Sequence, residues 1–306
     1  LSIASDLAVA TVNYIAHKMG LIGNDLESTL ITTNKYEMKR VLQEKNISTA
    51  KFEILRTETD LKKLSKFQYP IIVKPVDRSG SMGVSKVTSD TQLLEAFQKA
   101  IEASLSNEVI VEEFITGKEI SVESITQNGK HYILALTDKV TSGPPHFVEL
   151  EHHQPSLLFE ETQSNIKKLI PRALNALSIE NGAAHSELII TSKNEVYLNE
   201  IGARMGGDFI GSNLVELSTG FDYLKAVLDV SLGNSILLKF SSPKCSGVVF
   251  RSMMNEAKFD QVSGEEPYIV TLESGLKNAL KLTKSNERGN YFIYQSDKKI
   301  NFDRNE

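Results

Sequence analysis

Cysteine is nearly absent from the sequence, which holds one, Cys245, in 306 residues. A single thiol excludes an internal disulfide and cannot form a zinc cluster by itself. Chains without structural disulfides are typical of reducing compartments, so we expect a cytoplasmic protein. No signal peptide is visible. The chain begins at Leu1 rather than at Met, and we expect it to be a fragment that lacks N-terminal sequence.

The sequence also lacks a basic excess and a long apolar run. Its 34 Lys and Arg residues against 39 Asp and Glu residues give a net charge of −5. That balance argues against binding to nucleic acid or to an anionic membrane surface. No run approaches the roughly 18–20 apolar residues that span a bilayer. The composition, 41% hydrophobic and 24% charged, is that of a globular chain with enough material for two or three domains.

The stretch IVKPVDRSGSMGVSK (72–86) places Lys74 at the end of an apolar run and then a loop of small residues over 79–83. Glycine-rich loops allow close approach of the backbone to a ligand. Loop N–H groups and a lysine together are typical of a phosphate site. The flanking segments predict two strands, so this is a hairpin loop and not the strand–loop–helix of a P-loop.

The rest of the chain predicts an α+β fold of helices and antiparallel strands. Helices are expected over 6–20 (capped by Asp6 and ended by Gly20), 34–46 (capped by Asn34), 90–105, 160–178 and 221–232. Strands are expected over 70–75, 84–89, 109–115, 118–126, 130–140, 183–191 and 194–202. Residues 141–155, with their prolines and histidines, are expected to form a long loop. From 235 onward the sequence is strand-rich.

Two carboxylates stand 13 residues apart, Glu187 and Glu200, on either side of a predicted tight turn. A hairpin would bring them close together. Both lie in apolar runs, where a carboxylate is costly unless it is paired or bound to metal. Two oxygen ligands suit Mg²⁺ that bridges nucleotide phosphates. The alternative is that both are outward residues of half-exposed strands.

Two further segments carry candidate binding groups. Arg204 follows Glu200 in a glycine-rich turn, where a guanidinium could stabilise an oxyanion or hold a carboxylate; otherwise it is a surface arginine. In VIVEEFITGKEI (109–120) the backbone could read an adenine edge, and Glu119 could accept from ribose hydroxyls. Without its context, this segment is only an amphipathic strand.

The order of these elements resembles the ATP-grasp family over about residues 30–235. The resemblance implies that two lysines contact ATP phosphates and that the glycine-rich loop closes over them: Lys35, Lys74, Ser79, Gly80, Ser81 and Gly83. It implies an adenine and ribose site at Glu112, Glu113, Phe114, Ile115 and Glu119. It further implies Mg²⁺, or Mn²⁺ in its place, on Glu187 and Glu200. Arg204 and Lys74 would assist at the reacting centre.

One position departs from the family pattern. Many members carry E-x-N-x-R at the second carboxylate, whereas this chain has Gly202 in place of the asparagine. The E-I-G-A-R-x-G-G form resembles the branch of L-amino-acid ligases and carbamoyl-phosphate-synthase-like proteins, as does FVELEHHQP (147–155). The residues that this branch implies for the substrate pocket are Lys139, Glu149, His152, Arg204, Gly206 and Gly207.

His146, His152 and His153 could also suggest zinc. No cysteine accompanies them, so substrate contact or plain surface is the preferred interpretation. Asp208 is expected to cap the next segment. His185 lies two residues before Glu187 and should share its face of the strand.

The resemblance implies three regions and one leading activity. Residues 1–33 would be the remnant of a truncated N-terminal domain, 34–235 the ATP-grasp domain with a small lobe at about 50–115, and 236–306 a β-rich C-terminal lid. The expected activity is ATP-dependent ligation of a small-molecule carboxylate, such as an amino acid, to an amine through an acyl phosphate. A bicarbonate-activating enzyme and a non-catalytic ATP-binding module are the alternatives. Dimers are common in the family, so a homodimer is conceivable.

Overall fold

Two antiparallel sheets organise the part of the chain that the structure describes. The structure is a computed structural model, and it describes residues 2–144, 146–260, 262, 268–273 and 282–300. The predicted α+β class is confirmed by the mixture of helices with antiparallel strands. Within these ranges, no helix is both long and apolar enough to cross a bilayer.

Helices flank both sheets, and local caps explain several of their ends. The α-helices are α1 Asp6–Met19, α2 Leu26–Thr33, α3 Lys35–Glu44, α4 Leu93–Ala103, α5 Glu160–Ala176, α6 Val215–Thr219, α7 Tyr223–Leu232 and α8 Glu256–Asp260. As predicted, Asn34 caps α3 by accepting from two backbone N–H groups, and Gly20 ends α1 in the left-handed conformation. The sequence missed α2, which the Asp25 side chain caps.

The smaller sheet contains the predicted phosphate loop. Its strands are β1 Phe52–Leu55, β2 Ile71–Pro75, β3 Ser85–Val87 and β4 Val109–Glu113, arranged in the order β1-β4-β2-β3. Val73 and Val111 on this sheet share a buried cluster with Phe97 of α4. Strands β2 and β3 form the predicted hairpin, so residues 76–84 connect them at one end of the sheet.

The larger sheet holds the remaining strands of the described residues. They are β5 Lys118–Gln127, β6 Lys130–Thr141, β7 Glu149–Gln154, β8 Gly182–Ile190, β9 Val196–Gly202, β10 Cys245–Phe250, β11 Ile269–Glu273 and β12 Tyr291–Ser296. Their order is β11-β12-β10-β7-β6-β5-β8-β9. On one face, α3 and α5 contribute Leu42 and Ile170 to a core with Leu188 and Leu198. The other face of β8 combines the polar His185 with Ala183, which joins a second apolar cluster with residues of α7.

The prediction of a long loop over 141–155 is wrong for its second half, because β7 is a strand between β6 and β10. Its polar residues suggested a loop, yet they are satisfied inside the sheet. Gln154, for example, donates to Thr137 Oγ1 at 2.9 Å and accepts from the Ser218 hydroxyl at 2.8 Å. A strand whose buried side chains find polar partners needs no apolar alternation.

The segment 236–306 is β-rich where it is described, but its strands do not form a sheet of their own. Strand β10 pairs with β7, and β12 pairs with β10. The C-terminal strands therefore extend the larger sheet. The parts of this predicted lid at 261, 263–267, 274–281 and 301–306 lie outside the described residues.

Candidate active site

A cavity of about 500 Å³ lies between the two sheets, and most of the predicted site residues line it. Those that do are Lys35, Lys74, Ser79, Gly80, Ser81, Glu112, Glu113, Phe114, Ile115, Glu119, Lys139, Glu149, Glu187, Glu200, Arg204 and Gly207. These residues come from distant parts of the chain, and the fold brings them together around one cavity.

Three predicted residues do not line the cavity. Gly83, with φ +72°, turns toward Pro75 and Ala103, where a Cβ would lie 2.9 and 2.8 Å from their side chains. Gly206 lies against Glu123 and donates its N–H to that carboxylate. His152 is fully buried behind the wall, 3.7 Å from Glu149 and 3.6 Å from Asp208. None of the three touches the cavity, so any role they have there is indirect.

Glu187 and Glu200 lie directly opposite each other on β8 and β9. Glu187 Oε1 accepts from Lys139 Nζ at 2.8 Å and lies 3.3 Å from His185 Nε2. Burial favours the protonated acid, but these two cations hold the pKa of Glu187 well below its usual range. Glu200 pairs with Lys35 Nζ at 3.0 Å. The two carboxylates therefore face each other with cations beside both of them.

A β-bulge places a third polar side chain beside them. The pairing shifts after Glu187, which faces Glu200, to Leu188, which faces Leu198, so Asn199 has no partner on β8. Leu198 and Ile201 both enter the core, whereas Asn199 and Glu200 both line the cavity. Bulges redirect side chains in this way and often occur next to active sites. The spacing of three between these core residues was the available signal in the sequence.

Lys35 and Lys74 reach the cavity next to the predicted phosphate loop. Lys35 donates to the backbone carbonyl of Arg78 at 2.6 Å, which ties α3 to the loop. Lys74 Nζ lies 3.0 Å from Glu112 Oε2. Although burial lowers the pKa of Lys74, Glu112 and Glu200 raise it above its usual value. Both lysines thus reach the cavity beside the loop, whose small residues leave the backbone accessible.

Lys39 was not predicted, yet it belongs to this cluster. It lies four residues after Lys35, hence on the same face of α3, and it is fully buried. Its Nζ is 3.5 Å from Glu112 Oε1. The Glu112 carboxylate, predicted to bind adenine, therefore already has two lysine partners in the structure.

Arg204 is held by an acid that the sequence assigned to another role. Its Nε and Nη2 donate to the two oxygens of Asp6 at 2.7 and 2.8 Å, a bidentate pair. The prediction that Asp6 caps α1 is wrong, because Asp6 is the first helical residue and its carboxylate binds Arg204. A Cβ on Gly202 would lie 3.1 Å from Asp6 Oδ1 and 3.2 Å from Arg204 Nε. The glycine that departs from the family pattern thus makes room for this pair.

A second buried pair supports the cavity wall that carries Glu187 and Glu200. His185 Nδ1 and Glu123 Oε1 form a short hydrogen bond, while Glu123 Oε2 accepts from Gly206 N at 2.9 Å. Burial lowers the pKa of His185, but Glu123 outweighs it and raises that pKa to about 9. His185 therefore carries charge next to Glu187, as its shared face predicted.

The far end of the cavity combines two anions with two cations. Lys139 Nζ, nearly buried, lies 2.5 Å from Glu149 Oε1, and its pKa is raised because Glu187 and Glu149 outweigh the effect of burial. Asp208 does not cap the next segment as predicted. It binds Arg288 through both oxygens at 2.7 and 2.8 Å. Arg288, which the sequence did not indicate, fixes the C-terminal segment to this wall.

At the opposite end, an apolar and aromatic wall is available for a planar group. Phe114 and Phe147 lie with ring centroids 6.4 Å apart, and Lys86 Nζ lies 3.6 Å over the Phe114 ring. Ile72 and Ile189 also face the cavity. Burial raises the pKa of Glu119. An apolar slot beside polar groups is the usual character of a small-molecule pocket.

The donor set fits a hard divalent cation. Two ionised carboxylates and one amide, Glu187, Glu200 and Asn199, supply oxygen atoms at one wall. Mg²⁺ prefers such ligands and is commonly shared with substrate phosphates. Among the described residues no cysteine adjoins these three, and the neighbouring His185 is already paired with Glu123 and Glu187, so the set does not favour zinc.

We predict that Glu123→Gln lowers the free energy of unfolding by roughly 1.5–3 kcal/mol, because it removes a buried charged acceptor from His185. Urea unfolding at pH 7 measures the change. Glu195→Gln, an exposed change on the β8–β9 hairpin, is the matched control and should stay within about 0.5 kcal/mol. Equal stability of both variants would show that the Glu123–His185 pair does not support this wall.

Comparison with known proteins shows which families and enzymes this chain is similar to. Residues 67–212 match the family model described as an ATP-grasp domain. The chain is 25% identical over 249 residues to alanine–anticapsin ligase of Bacillus subtilis (strain 168), covering 74% of this chain and 52% of that protein. It is 26% identical over 219 residues to D-alanine–D-alanine ligase of Cupriavidus pinatubonensis, covering 68% and 65%. It therefore spans about half the length of the first relative and slightly less than two thirds of the second.

The crystal structure of L-amino acid ligase from Bacillus licheniformis superposes with a TM-score of 0.78 at 24% identity. The match covers 96% of this chain and 74% of that one. A carboxyaminoimidazole ribonucleotide synthetase in complex with ADP gives a TM-score of 0.77 at 15% identity, covering 97% and 76%. At these identities the matches establish the fold. The chain therefore has the ATP-grasp fold, and its residues 67–212 match the ATP-grasp domain model.

Proposed function

We propose that this chain is the catalytic part of an ATP-dependent ligase that joins a carboxylate, such as that of an amino acid, to an amine. The observation that carries the proposal is one cavity in which Glu187 and Glu200 face each other beside Lys35, Lys74 and Arg204. The names of the relatives, an alanine–anticapsin ligase and a D-alanine–D-alanine ligase, support this class of reaction.

ATP would lie between the sheets. Its adenine would enter the slot at Phe114 and Ile115, with backbone groups of β4 and the Glu113 and Glu112 side chains at its polar edge. Glu119 would accept from the ribose. The phosphates would extend toward Lys35 and Lys74 beneath the loop at Ser79, Gly80 and Ser81, where loop N–H groups can donate to them.

Glu187 and Glu200 would hold Mg²⁺, or Mn²⁺ in its place, and Asn199 would supply the oxygen that the family pattern takes from the residue at Gly202. The bound metal would neutralise charge on the phosphates and so favour attack at phosphorus. Lys139 and His185 pair with Glu187, and Lys35 pairs with Glu200, at the place where the metal would bind. The bulge at Asn199 would explain how the site tolerates a glycine three residues later.

The reaction needs positioning and charge stabilisation rather than a nucleophilic side chain. A carboxylate oxygen of the first substrate attacks the γ-phosphorus of ATP, and ADP leaves. The amine of the second substrate then attacks the acyl carbon of this acyl phosphate, losing a proton as phosphate departs. Arg204, fixed by Asp6, directs its remaining N–H groups to the oxygens on which charge develops. Lys74 does the same at the phosphoryl group.

The substrates would occupy the end of the cavity bounded by Lys139, Glu149 and Gly207. Glu149 and Asp208 offer carboxylates to an amino group, whereas Arg204 offers a guanidinium to a carboxylate. His152 and Gly206 would act from behind this wall through Glu149 and Glu123. Groups of both charges at one end suit a zwitterionic amino acid.

The direct test is phosphate release from ATP and Mg²⁺ with pooled amino acids and small carboxylates, with and without bicarbonate, using the longest form of the protein. We expect release that depends on an amino acid and an amine acceptor together. Release that depends on bicarbonate alone would contradict the proposal, and so would tight ATP binding without release in any pool.

Glu200→Gln should abolish this phosphate release while leaving the fold intact, because it removes a charged metal ligand at constant volume. Circular dichroism checks the fold, and the coupled phosphate assay checks turnover. Glu195→Gln on the same hairpin should behave like the wild type. If Glu200→Gln retains turnover, Glu200 is not a metal ligand.

Asn199→Ala should weaken divalent binding at least about tenfold, as expected for the loss of a supporting oxygen. Titration of Mn²⁺ by electron paramagnetic resonance, with ADP present, reads the metal independently of turnover. Ser192→Ala, in the exposed turn of the same hairpin, is the control. Unchanged Mn²⁺ affinity in Asn199→Ala would exclude this amide from the metal site.

A further inference from the structure

One buried carboxylate at the cavity wall is shared by two lysines, only one of which reaches the cavity. Glu112 Oε2 lies 3.0 Å from Lys74 Nζ, and Glu112 Oε1 lies 3.5 Å from Lys39 Nζ. Lys74 and Glu112 line the cavity, whereas Lys39 does not. The Lys39 side chain is 0% exposed.

The cluster holds more positive than negative charge. Among the described residues, Glu112 is the one acid within ion-pair distance of Lys39, whose other partner is the Thr49 hydroxyl at 2.8 Å. Two lysines on one carboxylate leave a net charge of +1 in a buried place. Such a charge is costly unless it is compensated. Glu200 and Glu187, which line the same cavity, compensate part of this charge through Lys74, and an anion that entered the cavity would compensate more of it.

The pKa of Lys39 is shifted by this arrangement. Burial lowers the pKa of Lys39 to about 8, with Lys74 adding to that effect, while Glu112 and, more weakly, Glu200 oppose it. Lys35, on the same helix face, also acts on Glu112. The proton on Lys39 is therefore held weakly enough to respond to an anion that enters the cavity.

We propose that Lys39 is a positioning residue for nucleotide binding: by taking one oxygen of Glu112, it leaves the Lys74 ammonium able to donate to the nucleotide phosphates. This inference rests on the proposed ATP site but adds a residue that does not touch the nucleotide. When Lys39 is neutral, Glu112 is left to Lys74 alone, and the wall presents less positive charge to the phosphates.

Two consequences follow from linkage. Nucleotide affinity should fall as the pH rises through about 8, because Lys39 loses its charge there. By reciprocity, the phosphates of a bound nucleotide favour the protonated lysine, so binding should take up protons near pH 8. A lysine that only fills space would produce neither effect.

The experiment is calorimetric titration of ATP at pH 7 and pH 8 in pairs of buffers with different ionisation enthalpies, which yields affinity and proton uptake together. EDTA in one series removes the charge of the metal near Glu200, and a parallel series contains Mg²⁺. The wild type is compared with Lys39→Met, which removes the charge, and Lys39→Arg, which keeps it at every pH used.

We expect Lys39→Met to bind ATP roughly 5- to 50-fold more weakly at pH 7 and to lack the Lys39 share of proton uptake at pH 8. Lys39→Arg should restore the affinity for ATP, but it should also lack the part of the proton uptake that depends on Lys39. His185 titrates in the same range, so the readout is the difference between variants rather than total uptake. Lys74→Ala serves as the comparison for direct loss of a phosphate contact.

Equal proton uptake by the wild type and Lys39→Arg would overturn the inference, even if Lys39→Met fails to fold. Equal ATP affinity in the wild type and a folded Lys39→Met would also overturn it. Absence of ATP binding by the wild type in both series would instead contradict the proposed function. If ATP binds but none of the proton uptake depends on Lys39, the result contradicts only this inference and not the proposed function.

Discussion

The direct opposition of Glu187 and Glu200 across β8 and β9 is the constraint to which the rest of the site is fitted. Like charges directly opposite on a sheet repel, so this pair of carboxylates requires cations beside it. Lys139 comes from β6, His185 from β8 and Lys35 from α3. Three elements, β6, β8 and α3, thus each place a positive charge at the same pair of carboxylates, so the fold of the larger sheet and the electrostatics of the site depend on each other.

A second layer of contacts holds these charges in place, and it explains two glycines. Gly206 brings its N–H to Glu123, where a Cβ would lie 2.6 Å from the carboxylate. Gly202 leaves space for the bidentate contact of Asp6 with Arg204. A larger residue at 202 would compete with that pair. The departure from the family pattern and the N-terminal anchor of Arg204 are therefore two aspects of one packing arrangement.

The sequence predicted the groups whose signals are local. A lysine at a strand end, a glycine-rich hairpin and two carboxylates flanking a tight turn all lie within short stretches, and the structure brings them to one cavity. It missed what depends on distant partners. Asp6 looks like a helix cap until Arg204, 198 residues away, is beside it. Arg288 has no local feature that marks it, and β7 reads as a loop because its polar residues are satisfied only by neighbouring strands.

Asn199 is an intermediate case, because the core residues Leu198 and Ile201 are three apart and so break the alternation of β9. That break is visible in the sequence, but it is meaningful only when the register with β8 is known. Lys39 is similar: its spacing from Lys35 predicts a shared helix face, yet its buried partner lies on β4.

The distribution of charge gives the cavity a polarity along its length. Lysines exceed acids around Glu112 and the glycine-rich loop, whereas carboxylates and Asn199 gather at β8 and β9. A polyphosphate with a bound divalent cation carries the complementary pattern, negative toward the loop and positive toward the hairpin. Lys35 stands at the boundary, since its ammonium contacts both Glu200 and the Arg78 carbonyl of the loop. Because one ammonium contacts both groups, Lys35 links the carboxylates of the hairpin to the glycine-rich loop.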